Sequence, residues 1–477
     1  MEVLNIHRTP LNCITLLKIS EKHFDESPIN RTKMIEMFLF VLFDLVELPT
    51  YQTKPDVKDC EQVLGYFCEQ MIKEKTYDFS RDEFVKKLNI FCDENLLNLE
   101  IIVVFNVLLE NRIIVECNGK LRFKATYWIY YFAANQMHAN YDFYQYIVTN
   151  KIYTNFPEII EFYTGIDRKS SDMIRILTND LSKQCDIVEN KTGLTVNFNL
   201  LDAMEWNPSE KHIKEAKQLI NTEVLQSNLP DSLKDEYADK DYSFEKPYNQ
   251  EISNILEEYT FLVLMQKISA SSRALRNSDY VKPEAKKLLL KEITRGWLLF
   301  SKILFVLSPI MAKHGYVSFD GIGFIPCGFD GVSIDEKIKR FILINPSFVV
   351  KLFKDDLFSP KSAPLLYDAI NSETNKLIKH ELMLLLIFGR PKGWQKYIEN
   401  YIRHIPRNSV YLFDILDLIH NRYIYDFASQ NELADMGNLL KICYAKHEFK
   451  SDRLIDRMKD WRKNPNSIIP KRENNTE

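Results

Sequence analysis

Glycine is scarce in this chain, with 13 in 477 residues. So few tight turns exclude a protein built from many short strands and point to one that is mostly helix. Five of those glycines (315, 321, 323, 328, 331) fall within one 17-residue window. That window is the expected site of an irregular or hairpin-bearing insertion. The eight cysteines are scattered and no two have CxxC spacing. This excludes a zinc ribbon and a dense disulfide framework and leaves reduced core thiols, as in a cytoplasmic protein. No long clean apolar run is present. Met37 to Leu48 is broken by Asp44, and Trp297 to Met311 by Lys302 and Pro309, so both read as buried helices rather than the ~20 apolar residues that span a bilayer. Met1 to Asn5 carries no basic stretch of a signal peptide. With a formal net charge of -4, the chain has no global attraction for phosphate backbones or anionic lipid, and neither a membrane nor a nucleic-acid partner is expected.

Several chemistries are excluded in the same way. A phosphate-binding loop needs Gly-x4-Gly-Lys-Ser/Thr, because backbone amides curl around the phosphates while the lysine and hydroxyl reach phosphate and magnesium. The only Gly-Lys pair is Gly119-Lys120, followed by Leu121. His380-Glu381 opens like a zinc-protease helix, but Leu384 stands where the second imidazole belongs, so His380 reads as a satisfied histidine. His447 and Cys443 lie one helical turn apart, and two ligands fall short of a zinc site. A magnesium-dependent nuclease would use Asp320 with Asp335 and Lys337 on a strand. Instead, Ser333 to Glu336 reads as a capping box opening a helix. No catalytic or metal constellation is expected, and the chain reads as a non-enzyme.

What is present is helical periodicity. Residues 1–50 read as two helices, the second over 32–48, separated by the turn at Asp25 to Asn30. Residues 51–126 hold helices at about 57–75, 80–92 and 98–110, the middle one opened by Ser80 and Glu83. Ile113 to Lys124 follows as two strands around Asn118-Gly119, a strong hairpin signal. Three helices and a β-ribbon predict a winged helix. Its third helix, 98–110, carries no lysine or arginine, and a reading helix must offer polar side chains to bases; it is expected to be buried. From Lys54 to Lys124 there are 11 basic and 13 acidic residues, which does not match DNA.

Residues 127–230 form the first part of a helical arm, 231–248 a charged loop, and 249–450 a C-terminal helical domain carrying the 315–331 insertion. Helices are expected at 249–275, 283–313, 333–354, 363–388, 391–403, 408–421 and 430–445. Short connections between them predict an α-solenoid-like array. The tail 451–477 is polar and expected to be partly disordered. The fold class is all-α, mainly helical.

The order of these elements resembles the part of NACHT-like STAND NTPases that follows the ATPase core. Thr9-Pro10-Leu11 looks like the proline-bearing helix that packs against the adenine of the bound nucleotide in that family. Phe123 to Ala134 is similar to its aromatic helix, written as Phe-x-His and then Tyr-Phe-x-Ala; Asn155 to Arg168 is similar to the helix-turn opening its arm. The resemblance implies that Pro10 is a nucleotide-pocket residue and that Tyr131, Phe132 and Ala134 anchor the arm. Ala125 stands where the family has its phosphate-sensing histidine, and Lys124 beside it is the cationic substitute. Pro10 and Lys124 would meet ATP or ADP only with an ATPase core supplied from elsewhere, since only eight residues precede Thr9. The function so implied is a non-catalytic sensor or regulatory fragment that controls an ATPase or effector module, switched by a ligand or foreign protein, in antiphage defence. A free-standing helical protein-interaction scaffold is the alternative, ahead of a winged-helix nucleic-acid binder or the nuclease.

Overall fold

A computed structural model describes residues 13–14, 17, 30–44, 55–194, 198–204, 218, 222–223, 226–229, 259–314, 317–319, 322–324, 331–426 and 428–448. Pro10, the loop 231–248, residues 249–258 of an expected helix, Asp320 and the tail 451–477 lie outside them. Sixteen α-helices and two short hairpins stand among the described residues, as the low glycine content predicts. The chain divides into two compact units, one of residues 1–178 with 269–289 and the other of 179–268 with 290–477.

The first unit contains α1 (Arg31–Asp44), α2 (Val57–Glu74), α3 (Arg81–Glu94), α4 (Ile101–Glu110), β1 (Ile114–Cys117), β2 (Lys120–Phe123), α5 (Thr126–Ala139), α6 (Tyr141–Thr149) and α7 (Pro157–Ile166). Asp56 caps α2 by accepting from the amides of Lys58 and Asp59. At α3 the capping box is complete: Ser80 Oγ accepts from Glu83 N at 3.2 Å and Glu83 Oε2 from Ser80 N at 2.7 Å. The β1–β2 turn holds Asn118 at φ 54° and Gly119 at φ 73°, the two left-handed residues that a tight twisted hairpin requires. Ile114 pairs with Phe123 and Cys117 with Lys120. Phe79 adds an isolated bridge to Leu121 on the other side of β2. Beneath the hairpin Phe67, Phe79, Phe84, Phe105 and Phe123 pack ring against ring.

Helix α4 corrects the sequence reading twice. It starts at Ile101 rather than Asn98, because Glu100 is extended and supplies no cap. It is also not wholly buried: Ile102 is 51% and Leu109 39% exposed, on a stripe with exposed Asn106.

The second unit is built from α11 (Ile334–Leu357), α12 (Ala363–Ser372), α13 (Lys376–Gly389), α14 (Trp394–His404), α15 (Val410–Tyr425) and α16 (Gln430–Glu448), together with parts of α8 (Ser171–Thr192) and α9 (Phe261–Asn277) and most of α10 (Pro283–His314). Helix α13 sits centrally, packed on α11, α12, α14 and α15. Trp297, Phe300, Phe305 and residues 384–387 form the apolar core of this unit. The single helix expected over 363–388 is two, because Glu373 is extended and Asn375 Oδ1 caps a new helix by accepting from Leu377 N and Ile378 N. The glycine window carries the short hairpin Val317–Phe319 with Ile322–Phe324 (β3, β4). Among the described residues, only Pro283–Lys313 of α10 is long and apolar enough to cross a membrane, and 94% of its apolar window is buried inside the protein.

The described cysteines at 60, 68, 92, 185 and 443 are buried and unpaired with one another, and no group of three His, Cys, Asp or Glu among the described residues is placed to hold a metal ion.

Candidate functional site

The residues picked out in the aromatic helix are all interior: Tyr131 is 1% exposed, and Phe132 and Ala134 are completely covered. What they pack against is a stripe on α2. Glu61, Gly65 and Glu69 are four residues apart and therefore share one helical face. Gly65 lets the helix backbones approach: a β-carbon there would lie 3.1 Å from the Phe132 carbonyl oxygen. On either side stands a buried carboxylate. Glu61 accepts from the Tyr131 hydroxyl at 2.6 Å and from Lys58 at 2.7 Å. Glu69 accepts from Gln136 Nε2 at 2.6 Å and from Lys73 at 2.5 Å. Each charge is thus shared between a lysine of its own helix and a polar side chain of α5, as a buried carboxylate requires. Burial first, and the neighbouring Glu61 second, hold the Tyr131 hydroxyl far above its ordinary pKa. It stays a donor at any physiological pH.

Removing that donor gives a direct check. Tyr131→Phe is expected to cost about 1–3 kcal/mol, the penalty for a buried acceptor stripped of a partner. Thermal unfolding would show it as a lowered midpoint. An unchanged midpoint would mean that the 2.6 Å bond contributes nothing.

A third buried carboxylate joins three segments of the same unit. Glu161 on α7 is 1% exposed and is met by Arg276 at 2.6 Å, Arg273 at 3.0 Å and Arg31 at 3.6 Å. The Glu161 carbonyl also accepts from Asn277 Nδ2 at 3.0 Å. Burial alone would raise the pKa of this carboxyl; the charges of Arg276, Arg31 and Arg273 outweigh it and hold the group below its ordinary value. Arg31 further stands over the rings of Phe162 and Tyr127, at 5.3 and 5.4 Å. Helix α1 therefore reaches both α5 and α7 through one guanidinium. Thr32 beside it lies so close to Gly165 of α7 that any β-carbon there would collide with its side chain.

The remaining candidates are placed differently. Lys124 is exposed at the end of β2, with its amide bonded to the Ile113 carbonyl, and Ala125 is an extended residue giving α5 no side-chain cap. Pro10 lies outside the described residues. Asp335 and Lys337 lie in the first turn of α11, where Ser333 Oγ accepts from Glu336 N, and not on a strand. His380 is fully buried between Asp414 and Tyr401, a satisfied histidine as expected. The reading from sequence missed Glu161 and its arginines, which lie up to about 130 residues from it along the chain. It also missed the Glu61–Gly65–Glu69 stripe, whose four-residue spacing was a visible signal.

Comparison with known proteins adds one finding. Residues 77–133 match the model of a protein family described as Novel STAND NTPase 4. The matched segment runs from the Phe79 bridge through α3, α4 and the hairpin to Ala133 in α5, and so includes Tyr131 and Phe132. No curated protein matches the chain. No solved structure matches it.

Proposed function

We propose that this chain is the non-catalytic sensor and regulatory part of a STAND-type NTPase system. The similarity of residues 77–133 to a STAND NTPase family carries this reading. Helices α2, α3 and α4, the hairpin and the Phe79 bridge support a winged-helix reading of this region, followed by the helix that Glu61 and Glu69 hold from within. The exposed face of α4 supports a protein partner over a nucleic acid, since Ile102 and Leu109 offer apolar contact and neither they nor Asn106 between them carries positive charge. The Glu161 cluster supports switching. One carboxylate holds α1 to α7 and to the end of α9 only in this arrangement, so a partner that moves α1 must act against three charged contacts together. In this reading the chain does not hydrolyse nucleotide; an ATPase module supplies that chemistry, and Pro10 and Lys124 meet ATP or ADP only within the complex. The setting is defence of a bacterial cytoplasm against phage.

The test is turnover and assembly. The purified chain is expected to release no phosphate from ATP above a buffer blank, and to co-purify with a co-expressed ATPase that carries a phosphate-binding loop and is encoded beside it. The complex is expected to respond differently to ADP and to a non-hydrolysable ATP analogue. ATP turnover by the chain alone, or DNA binding that weakens steeply with salt, would overturn the proposal.

A further inference from the structure

The second unit contains a cavity of about 600 Å³ at the start of α13 and α15, within the range of about 300–1,000 Å³ typical of small-molecule sites. Its apolar lining comes from Leu201, Met204, Ile405 and Pro406 and from the rings of Tyr401 and Tyr411. Both tyrosine hydroxyls are committed to protein partners. Tyr411 donates to Asp202 at 3.1 Å and accepts from Asn199 at 2.8 Å. Tyr401 meets His380 Nδ1 at 3.2 Å, His380 Nε2 meets Asp414 Oδ2 at 2.8 Å, and Ser347 donates to Asp414 Oδ1 at 2.6 Å. A carboxylate only accepts, so Nε2 carries the imidazole proton and Nδ1 takes the tyrosine hydroxyl. This chain of bonds runs from one wall of the cavity into the core and fixes the Tyr401 ring. His380 also packs against Tyr411, with ring centroids 4.7 Å apart. The walls are therefore preorganised, which lowers the cost of binding.

The rim decides the charge of what fits. Its two carboxylates are engaged: Asp202 by Tyr411 and by Lys376 at 3.6 Å, and Glu373 by the Asn375 amide at 2.7 Å. Among the described residues Lys379 has no ion-pair partner, and Lys376 is 71% exposed, with only the 3.6 Å contact to Asp202. His404 Nδ1 faces its own helix at the Asn400 carbonyl. The amino-terminal ends of α13 and α15, both at the cavity, add partial positive charge. Apolar walls whose hydroxyls are committed, with an uncommitted lysine in the same lining, suit a molecule with a flat apolar body and one acidic group.

We propose that this cavity binds a small amphipathic acid, its apolar body between Tyr401, Tyr411, Met204 and Ile405 and its carboxylate or phosphate at Lys379. The site stands on the geometry of the second unit and does not depend on the STAND reading.

The test uses the full chain and three probes: phenylacetate, phenyl phosphate and the neutral 2-phenylethanol. Binding is followed by NMR of the Met204 and Ile405 methyl groups. The two acids are expected to shift these methyls saturably, with the alcohol at least tenfold weaker; the tighter acid distinguishes carboxylate from phosphate. Lys379→Glu is expected to weaken both acids at least tenfold and leave the alcohol unchanged, with Lys379→Met intermediate. Lys379 is only half-buried, so an unaltered unfolding midpoint is expected for both variants. No saturable shift with any probe at millimolar concentration overturns the proposal. So does an alcohol that binds as well as the acids while Lys379→Glu changes nothing.

Discussion

Glu161→Ala is expected to destabilise the first unit by about 3–5 kcal/mol, the usual cost of removing one partner from a buried ion pair. The size follows from what is left behind. Arg276 is 9% exposed, Arg273 19% and Arg31 26%; Arg273 keeps Glu158 at 2.9 Å, while Arg276 and Arg31 lose the carboxylate that draws them together. Calorimetry of wild type and variant would measure the loss, and a change below about 1 kcal/mol, the value of an exposed pair, would show that the cluster is no lock. The pH dependence has a definite sign. Glu161 has its pKa lowered in the folded chain, so its contribution is fully present above its unfolded value of 4.5 and disappears as pH falls through the folded value. Acid should therefore release α1 and make it more sensitive to protease, and Glu161→Ala should show that sensitivity at neutral pH.

Glu381→Gln is expected to act in the opposite direction and stabilise the second unit above neutrality. Glu381 is completely buried in α13, and its one bond is to the Ser301 hydroxyl at 2.6 Å. Burial pushes its pKa up to about 8, against the opposing effect of Ser301. Its second oxygen has no hydrogen-bond partner, and neither does Oδ1 of Asn345, whose amide group donates to the Ser301 carbonyl at 2.8 Å. Two unsatisfied oxygens on side chains that bond the same serine are the arrangement that a single proton on Glu381 relieves, by making one of them a donor. Because the folded pKa lies above the unfolded 4.5, the stability is fully present below pH 4.5 and is lost as pH rises through 8. The slope is about 1.4 kcal/mol per pH unit, or about 3–5 kcal/mol over the window. Glutamine carries a permanent donor in place of that proton and should abolish the slope. Lys302 titrates in a neighbouring window: burial lowers its pKa to about 8, so its effect on stability begins where that of Glu381 ends and has the opposite sign. Unfolding midpoints between about pH 5 and 8 therefore leave Lys302 out, and the difference between wild type and Glu381→Gln cancels what other groups of the unit contribute, among them Asp417, whose pKa is raised by burial. A wild-type curve that is flat over that range would show the carboxyl to be solvated.

These two carboxylates also mark the limit of what the sequence discloses. Local rules act over four residues, and they were legible: the Ser80 and Glu83 box, the Asn118-Gly119 turn and the buried face of α5 all stand where spacing places them. The break before Asn375 was less visible. Residues 363–388 keep apolar positions in helical phase while Glu373 leaves the helical backbone, and apolar periodicity by itself does not announce a helix end. The cap becomes evident only through the bonds of Asn375 to Leu377 and Ile378. Glu161, Glu381 and the cavity were not legible at all. Their partners lie from about 80 to more than 200 residues away, and a buried glutamate on a helix has the same sequence appearance as a solvated one. His380 is the intermediate case: its type and neighbours indicated a satisfied side chain, but nothing nearby named Asp414 or Tyr401.

The buried thiols give each unit a clock of its own. Burial raises the pKa of Cys60 and Cys68 on α2 and of Cys443 on α16, and brings Cys185 on α8 up to about 12. Only the thiolate reacts with an alkylating reagent, so in the closed fold these sulfurs are silent for two reasons, access and protonation. With reagent in sufficient excess to outpace reclosing, each reacts at the rate at which its surroundings open. Cys60 and Cys68 therefore time the opening of the first unit, and Cys185 and Cys443 that of the second, within one molecule and without an engineered residue.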